Sequence, residues 1–249
     1  MLVSKIYNYI NTIAPFELAE SWDNCGLLLG NHNSDISKVM VALDVTDAVA
    51  DEAIEKNINL IISHHPIIFH PLSAINSDSA VTKLIKSDIA VISAHTNLDS
   101  ANDGIADVLC EMIGLTEVCS LQENLGRIGN LSTDSSPKEF AELVKNTLSV
   151  EKVQFVDGNK SIQKVAVLNG SEGGLLPLAI EQNADALLCG EAKYDGMIAA
   201  KNHGITLIAA GHFETEDIIT PILEGKLKSE FPMLDIIKSE QNNCVYSII

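Results

Sequence analysis

Arginine is almost missing from this chain: Arg127 is the single one among 249 residues, and Lys plus Arg number 16 against 34 acidic residues. The resulting net charge of −18 repels polyanions, which excludes broad nucleic-acid binding and adhesion to an anionic membrane surface. A lone guanidinium also excludes the multi-arginine clamp that usually grips a triphosphate. No G-x-x-x-x-G-K-[ST] stretch supplies the alternative backbone cradle. An anionic substrate would have to lean on metal ions, backbone amides and a few lysines. Long apolar runs are missing too, and nothing approaches the roughly 18 consecutive apolar residues of a membrane-spanning helix. The opening Met1-Leu2-Val3-Ser4-Lys5-Ile6-Tyr7-Asn8 lacks the basic stretch and apolar core of a secretory signal. Cysteine is sparse: Cys25, Cys110, Cys119, Cys189 and Cys244 are odd in number, scattered and never spaced C-x-x-C. They read as reduced thiols of a cytoplasmic protein, mostly small core residues.

What is present is an apolar fraction of 46% and a regular strand-helix punctuation, enough for one large or two modest α/β domains. The stretch around which the rest is arranged is Leu60-Ile61-Ile62-Ser63-His64-His65-Pro66. A short apolar run stopped by two histidines and a proline reads as a buried parallel strand, and ligands of such sheets bind beyond the carboxyl ends of the strands. The pattern recurs as Ile89-Ala90-Val91-Ile92-Ser93-Ala94-His95 and as Thr206-Leu207-Ile208-Ala209-Ala210-Gly211-His212. Asp99 and Glu216 follow these later histidines, each four residues on.

Helices are expected over Leu2–Ile13, about Ala48–Lys56 with a cap at Thr46 or Asp47, about Ser79–Lys86 and about Asp103–Ile113. Trp22-Asp23-Asn24-Cys25-Gly26 reads as a turn before a short strand; Asp23 and Asn24 could approach an active site, but the favoured reading is that their side chains bond the local backbone. Residues Cys119 to Leu131, with Leu125-Gly126-Arg127-Ile128-Gly129, read as turn-rich and as a junction between halves. The second half repeats the first. An offset of 126 (164 − 38) sets Lys164 on Lys38, Asn183 on Asn57 and Leu187-Leu188-Cys189-Gly190-Glu191 on Ile61-Ile62-Ser63-His64-His65. An offset of 117 (212 − 95) then sets His212 on His95 and Glu216 on Asp99. These ungapped blocks predict an internal duplication, divided as residues 1–125 and 126–249, with mostly parallel sheets and a site between the halves.

His64, His65, Asp99, His212 and Glu216 are too many ligands for one open catalytic zinc and suit two divalent ions sharing a carboxylate. Imidazole and carboxylate without thiolate favours zinc, iron, manganese or cobalt. His95 is a ligand, a partner that orients a ligand, or an acid/base group. Glu191, Lys193 and Asp195 follow another strand end and are expected to line the same crevice, and Arg127 joins them as a candidate. Gly170-Ser171-Glu172-Gly173-Gly174 has the form of a phosphate cradle but is more often a plain strand-to-helix turn. His32, His70 and His203 read as ordinary side chains.

Five stretches together resemble the Nif-three-like family, whose members are also called GTP cyclohydrolase I type 2 homologues. They are Trp22-Asp23-Asn24-Cys25-Gly26-Leu27, Ser63-His64-His65-Pro66, His95-Thr96-Asn97-Leu98-Asp99, Leu125-Gly126-Arg127-Ile128-Gly129 and Gly211-His212-Phe213-Glu214-Thr215-Glu216. The resemblance runs through nearly the whole chain and fits the short form, without the domain that longer members insert. It implies two interlinked α/β domains, a dinuclear metal centre and a toroidal homohexamer. In that scheme one ion is held by His65, Asp99 and Glu216, the other by His64, His212 and the bridging Glu216, and His95 stays beside the metals. One departure is visible: many relatives carry Lys-Tyr-His-Asp where this chain has Lys193-Tyr194-Asp195-Gly196. A proton-transfer role of that histidine would fall here to Asp195 or another group, or be lost. A metal-dependent hydrolase, acting by GTP cyclohydrolysis or phosphoester hydrolysis, is the leading expectation. A non-enzymatic metal-binding scaffold is the alternative.

Overall fold

An apolar stripe at Val3, Ile6 and Ile10 makes the first segment an amphipathic helix, α1 (Val3–Ile13), with those three side chains buried. The computed structural model describes residues 1–123, 125–171 and 174–246. A 3-10 turn, Phe16–Leu18, leads to strands β1 (Gly26–Leu29) and β2 (Lys38–Ala42). Helix α2 (Asp47–Glu55) starts at Thr46, whose hydroxyl accepts the Val49 N–H at 3.2 Å. It stops at Asn57, a residue in the left-handed conformation. Strand β3 (Leu60–Ser63), helix α3 (Ala80–Lys86) capped by Ser79, strand β4 (Ala90–Ser93) and the single turn α4 (Thr96–Ser100) follow.

Next come α5 (Ile105–Met112), β5 (Thr116–Gln122), β6 (Leu125–Ser135) and α6 (Pro137–Thr147), the last opened by a reciprocal Ser136–Glu139 capping box. After these lie β7 (Gln154–Val156), β8 (Ile162–Val167), α7 (Leu176–Glu181), β9 (Ala186–Cys189), α8 (Tyr194–His203), β10 (Thr206–Ala209) and α9 (His212–Glu216). Helix α10 (Ile219–Glu230) and strand β11 (Asp235–Lys238) end the regular structure. No helix among the described residues is long and apolar enough to cross a membrane.

The chain forms two units, Met1–Asn102 with Ile219–Ile249, and Asp103–Ile218. The first is discontinuous, so the two are interlinked by the chain itself. The 125/126 division drawn from the sequence falls instead at the start of β6, inside the second unit.

In the first unit the sheet runs β1-β4-β3-β2-β11, parallel throughout except for β1, which pairs antiparallel with β4. Met40, Ile61 and Val91 pack under Val49, Ala50 and Ala53 of α2 and Leu84 of α3. Every residue of β3 and β4 is buried, so the strands are apolar without alternation.

In the second unit the sheet runs β5-β6-β8-β9-β10-β7. Its centre, β8-β9-β10, is parallel, while β5, β6 and β7 are joined antiparallel, so the expected mostly parallel pattern holds for one sheet and the other is mixed. Val165, Val167, Leu188 and Ile208 face one apolar layer, and Ala166, Leu187, Cys189 and Leu207 face the other. The stretch read as a turn-rich junction is the β5–β6 hairpin. Its outer strand is exposed from Thr116 to Ser120, so no apolar run announces it.

The duplication is visible in detail. Strands β2-β3-β4 and β8-β9-β10 make equivalent parallel triplets. Asn57 and Asn183 both adopt positive φ, 55° and 58°, at the end of equivalent helices. The side chain of Asn59 accepts the Lys38 N–H at 3.0 Å as that of Asp185 accepts the Lys164 N–H at 2.9 Å. Lys38 reaches the carbonyl of Lys56 and Lys164 that of Gln182.

Candidate metal centre

Register places the cluster of the first unit. Ala42 lies opposite Ser63 and Ser63 opposite Ser93, so β2, β3 and β4 end level. The residues that follow, Asp44, His64, His65 and His95, therefore gather at one carboxyl edge. Each ring is anchored through Nδ1. His64 donates to the Ala94 carbonyl at 2.9 Å, His65 to Asp44 Oδ1 at 2.8 Å and His95 to Asp23 Oδ1 at 2.9 Å. An acceptor at Nδ1 selects the tautomer that leaves Nε2 as the lone-pair nitrogen, the arrangement found around metal-ligating histidines. The three imidazoles offer ligand atoms within 4.8 Å of one another. Asp99, buried in α4, brings Oδ1 to 3.7 Å from His64 Nε2.

Asp23 is the hub of this half. Its carboxylate accepts from His95, from the Thr96 N–H at 3.0 Å, from the Thr96 hydroxyl at 2.5 Å and from the Cys25 thiol at 2.9 Å. Burial by itself would raise its pKa, but the hydrogen bonds from His95, Cys25 and Thr96 win and hold the carboxyl well below the usual range. Burial and that same bond push the Cys25 thiol up to about 12, so it stays a neutral donor.

The second unit carries its own cluster in the equivalent place. Asn169 and Gly170 follow β8, Gly190 and Glu191 follow β9, and Gly211 and His212 follow β10. His212 and Glu216 lie one turn apart on α9, with His212 Nε2 3.0 Å from Glu216 Oε2 and His212 Nδ1 3.3 Å from Glu191 Oε1. The Asn169 amide donates to Glu216 Oε1 at 3.2 Å, fixing a carboxylate that is almost wholly buried. Thr215 fastens the strand ends: its hydroxyl donates to the Gly211 carbonyl at 2.9 Å and accepts the Gly170 N–H at 3.1 Å. Gly170 has φ +57°, and a β-carbon there would collide with the Glu216 carboxylate and lie 3.1 Å from His212 Nε2.

Buried carboxylate and oriented imidazoles are groups that could hold a metal ion. The remaining sequence candidates fare differently. Glu191 joins His212, whereas Lys193 and Asp195 stand exposed at the start of α8. Arg127 is buried in a bidentate pair with Asp107, at 2.5 and 2.8 Å, which ties β6 to α5. This pairing engages the guanidinium within the second unit. Glu172 and Gly173 of the glycine-rich turn lie outside the described residues, and the Gly170 N–H is already given to Thr215.

A model of the Duf34/NIF3 (NGG1p interacting factor 3) family matches residues 1–244. The chain belongs to this family. Within it, a GTP cyclohydrolase 1 type 2 homolog of Clostridium acetobutylicum is 35% identical, over 97% of this chain and 96% of that one. The crystal structure of a Staphylococcus aureus hypothetical protein superposes with a TM-score of 0.91 at 28% identity, covering 100% of this chain and 99% of that one. Reduced HcgD from Methanocaldococcus jannaschii gives 0.86 at 30% identity, covering 96% and 98%.

The sequence assigns no site role to three groups of this NIF3-family chain, Asp44, Asn169 and Thr215, and for Asp23 it favours a turn over an approach to the site. Asp23 was read as a turn residue bonding its own backbone. It does bond the Asn24 N–H at 2.7 Å, but its larger role is to hold His95, 72 residues away. Asp44 carried a usable signal, since it follows the strand beside the histidine strand.

Proposed function

We propose that this chain is a metal-dependent hydrolase holding two divalent ions, one on His65, Asp99 and Glu216 and the other on His64, His212 and the shared Glu216. The observation that carries this reading is the anchoring of His64, His65 and His95 through Nδ1, which turns three Nε2 atoms toward one place. The oriented Glu216 carboxylate supports it from the second unit. Divalent ions held there would supply Lewis acidity and lower the pKa of a bound water toward neutrality. The chain's own groups do the rest. Asp44 and Asp23 hold His65 and His95 in one tautomer and one orientation through Nδ1.

The relatives' names point to hydrolytic opening of a guanine ring, and phosphoester hydrolysis fits the same donors. A non-enzymatic metal-binding scaffold is the second reading, favoured by the engagement of the single arginine with Asp107. Metal-dependent turnover across nucleotides, phosphoesters and peptides, absent in Glu216→Gln, is the expected result. A metal-loaded protein inert toward the whole panel would establish the scaffold instead.

His95 and Asp99 divide the two descriptions of the first half. The internal repeat makes both ligands, while the family resemblance makes only Asp99 one. His95→Gln is expected to keep both ions and lose most turnover, about 100-fold or more for a positioned acid/base group. Asp99→Asn is expected to release one ion selectively. Elemental analysis decides: a full equivalent of metal lost from His95→Gln would make the repeat the better guide.

The protein is further proposed to be a cytoplasmic homo-oligomer, a ring-shaped hexamer acting on a small molecule and not on nucleic acid or membrane. Light scattering at micromolar concentration is expected to give the hexamer mass, and a monomer would remove the ring.

A further inference from the structure

Trp22 is the only tryptophan in the chain, and it is 58% exposed at the rim of the first unit's histidine cluster. Its ring centroid lies 5.9 Å from Phe69 and 6.4 Å from His95, and Phe69 lies 6.1 Å from His95. His95 meets both rings edge-on. Phe69 is 37% exposed.

These rings are held in place from both sides. The Asn24 amide donates to the Ile68 carbonyl at 2.5 Å, tying the tryptophan turn to the phenylalanine loop. The Glu20 N–H bonds the Thr96 hydroxyl at 2.9 Å, and Asp23 bonds Thr96 and His95. The Trp-Asp-Asn motif thus divides its work. Asn24 fixes the second loop, Asp23 fixes the histidine, and the indole is left facing outward. An exposed aromatic on a fixed backbone stacks at little entropic cost.

We propose that Trp22, with Phe69 tilted 60° beside it as a side wall, forms a stacking platform for the planar heteroaromatic ring of a nucleobase-type ligand, placed so that the ring edge meets His95. This rests on the hydrolase reading and narrows its substrate class to ring-bearing molecules. Charge leads to the same class. With net charge −18 and its single guanidinium engaged by Asp107, the chain has little with which to grip a phosphate. Base–aromatic stacking needs no positive charge.

The test uses full-length metal-loaded protein, guanosine 5′-monophosphate as ring-bearing probe and ribose 5-phosphate as the same phosphate without a ring. Because the chain has one tryptophan, its fluorescence reports this position alone. Saturable quenching by the nucleotide and none by the sugar phosphate is expected. By calorimetry Trp22→Ala is expected to bind the nucleotide about 5- to 150-fold more weakly with unchanged metal content, and Trp22→Phe to recover most of the loss. Equal binding of both probes, unchanged affinity in Trp22→Ala, or no nucleotide binding at all would overturn the platform. So would dissociation of the oligomer in Trp22→Ala, which would assign the indole to a contact between copies. Wild-type protein that retains no metal but still binds the nucleotide through Trp22 would sink the hydrolase reading and leave the platform standing.

Discussion

Glu216→Ala is expected to leave the purified protein almost without metal, and the wild type is expected to carry about two equivalents of divalent ion. The carboxylate is proposed to serve both ions, so its removal costs each a ligand. Its surroundings show how tightly it is specified: the Asn169 amide bonds Oε1, His212 lies against Oε2, and the side chain is nearly fully buried. Gly170→Ala provides a second route to the same loss without removing a ligand, because the added methyl group would force the carboxylate aside. That variant is expected to weaken metal binding by about 10- to 100-fold, the usual scale for disturbing a group that orients a ligand. Elemental analysis together with circular dichroism checks both. Wild type with one ion, and an unchanged content in folded Glu216→Ala, would end the dinuclear assignment.

Arg127→Ala is expected to lower stability by about 2–3 kcal/mol and the thermal midpoint by about 5–10 °C, with metal content unaffected. The guanidinium meets Asp107 through two parallel bonds and gives a third, at 2.9 Å, to the Gly126 carbonyl. Removing it strands the Asp107 carboxylate in the first turn of α5. That carboxylate is 26% exposed, so the loss falls below that of a fully enclosed pair. Arg127→Lys keeps the charge but not the fork and is expected to recover only part of the stability. Thermal melts settle the matter: unchanged melting with weakened ligand binding would return Arg127 to the role of a substrate clamp.

Much of this molecule is legible in its sequence because the signals are local. Apolar runs that stop at His64, at Ala94-His95 and at Gly211-His212 mark strands buried on both faces, and Thr46 and Ser79 mark helix starts. The repeat at offset 126 survives in the structure down to Asn57 and Asn183, since a left-handed helix stop favours the same residue type each time. Where pairing partners lie far apart in sequence, composition is silent. The exposed strand β5 has no apolar run, and its place beside β6 is set by backbone bonding across the hairpin. The return of α10 and β11 to the first unit depends on an open edge at β2, which only the assembled sheet presents.

The same division holds for the site. The sequence by itself determined which residue types stand at the strand ends, and hence that imidazole and carboxylate donors are available. Tertiary structure decided their orientation. Asp23 and Asp44 select the ring nitrogens of His95 and His65 across 72 and 21 residues of chain, and no spacing rule encodes a contact that exists only once separate strands end level.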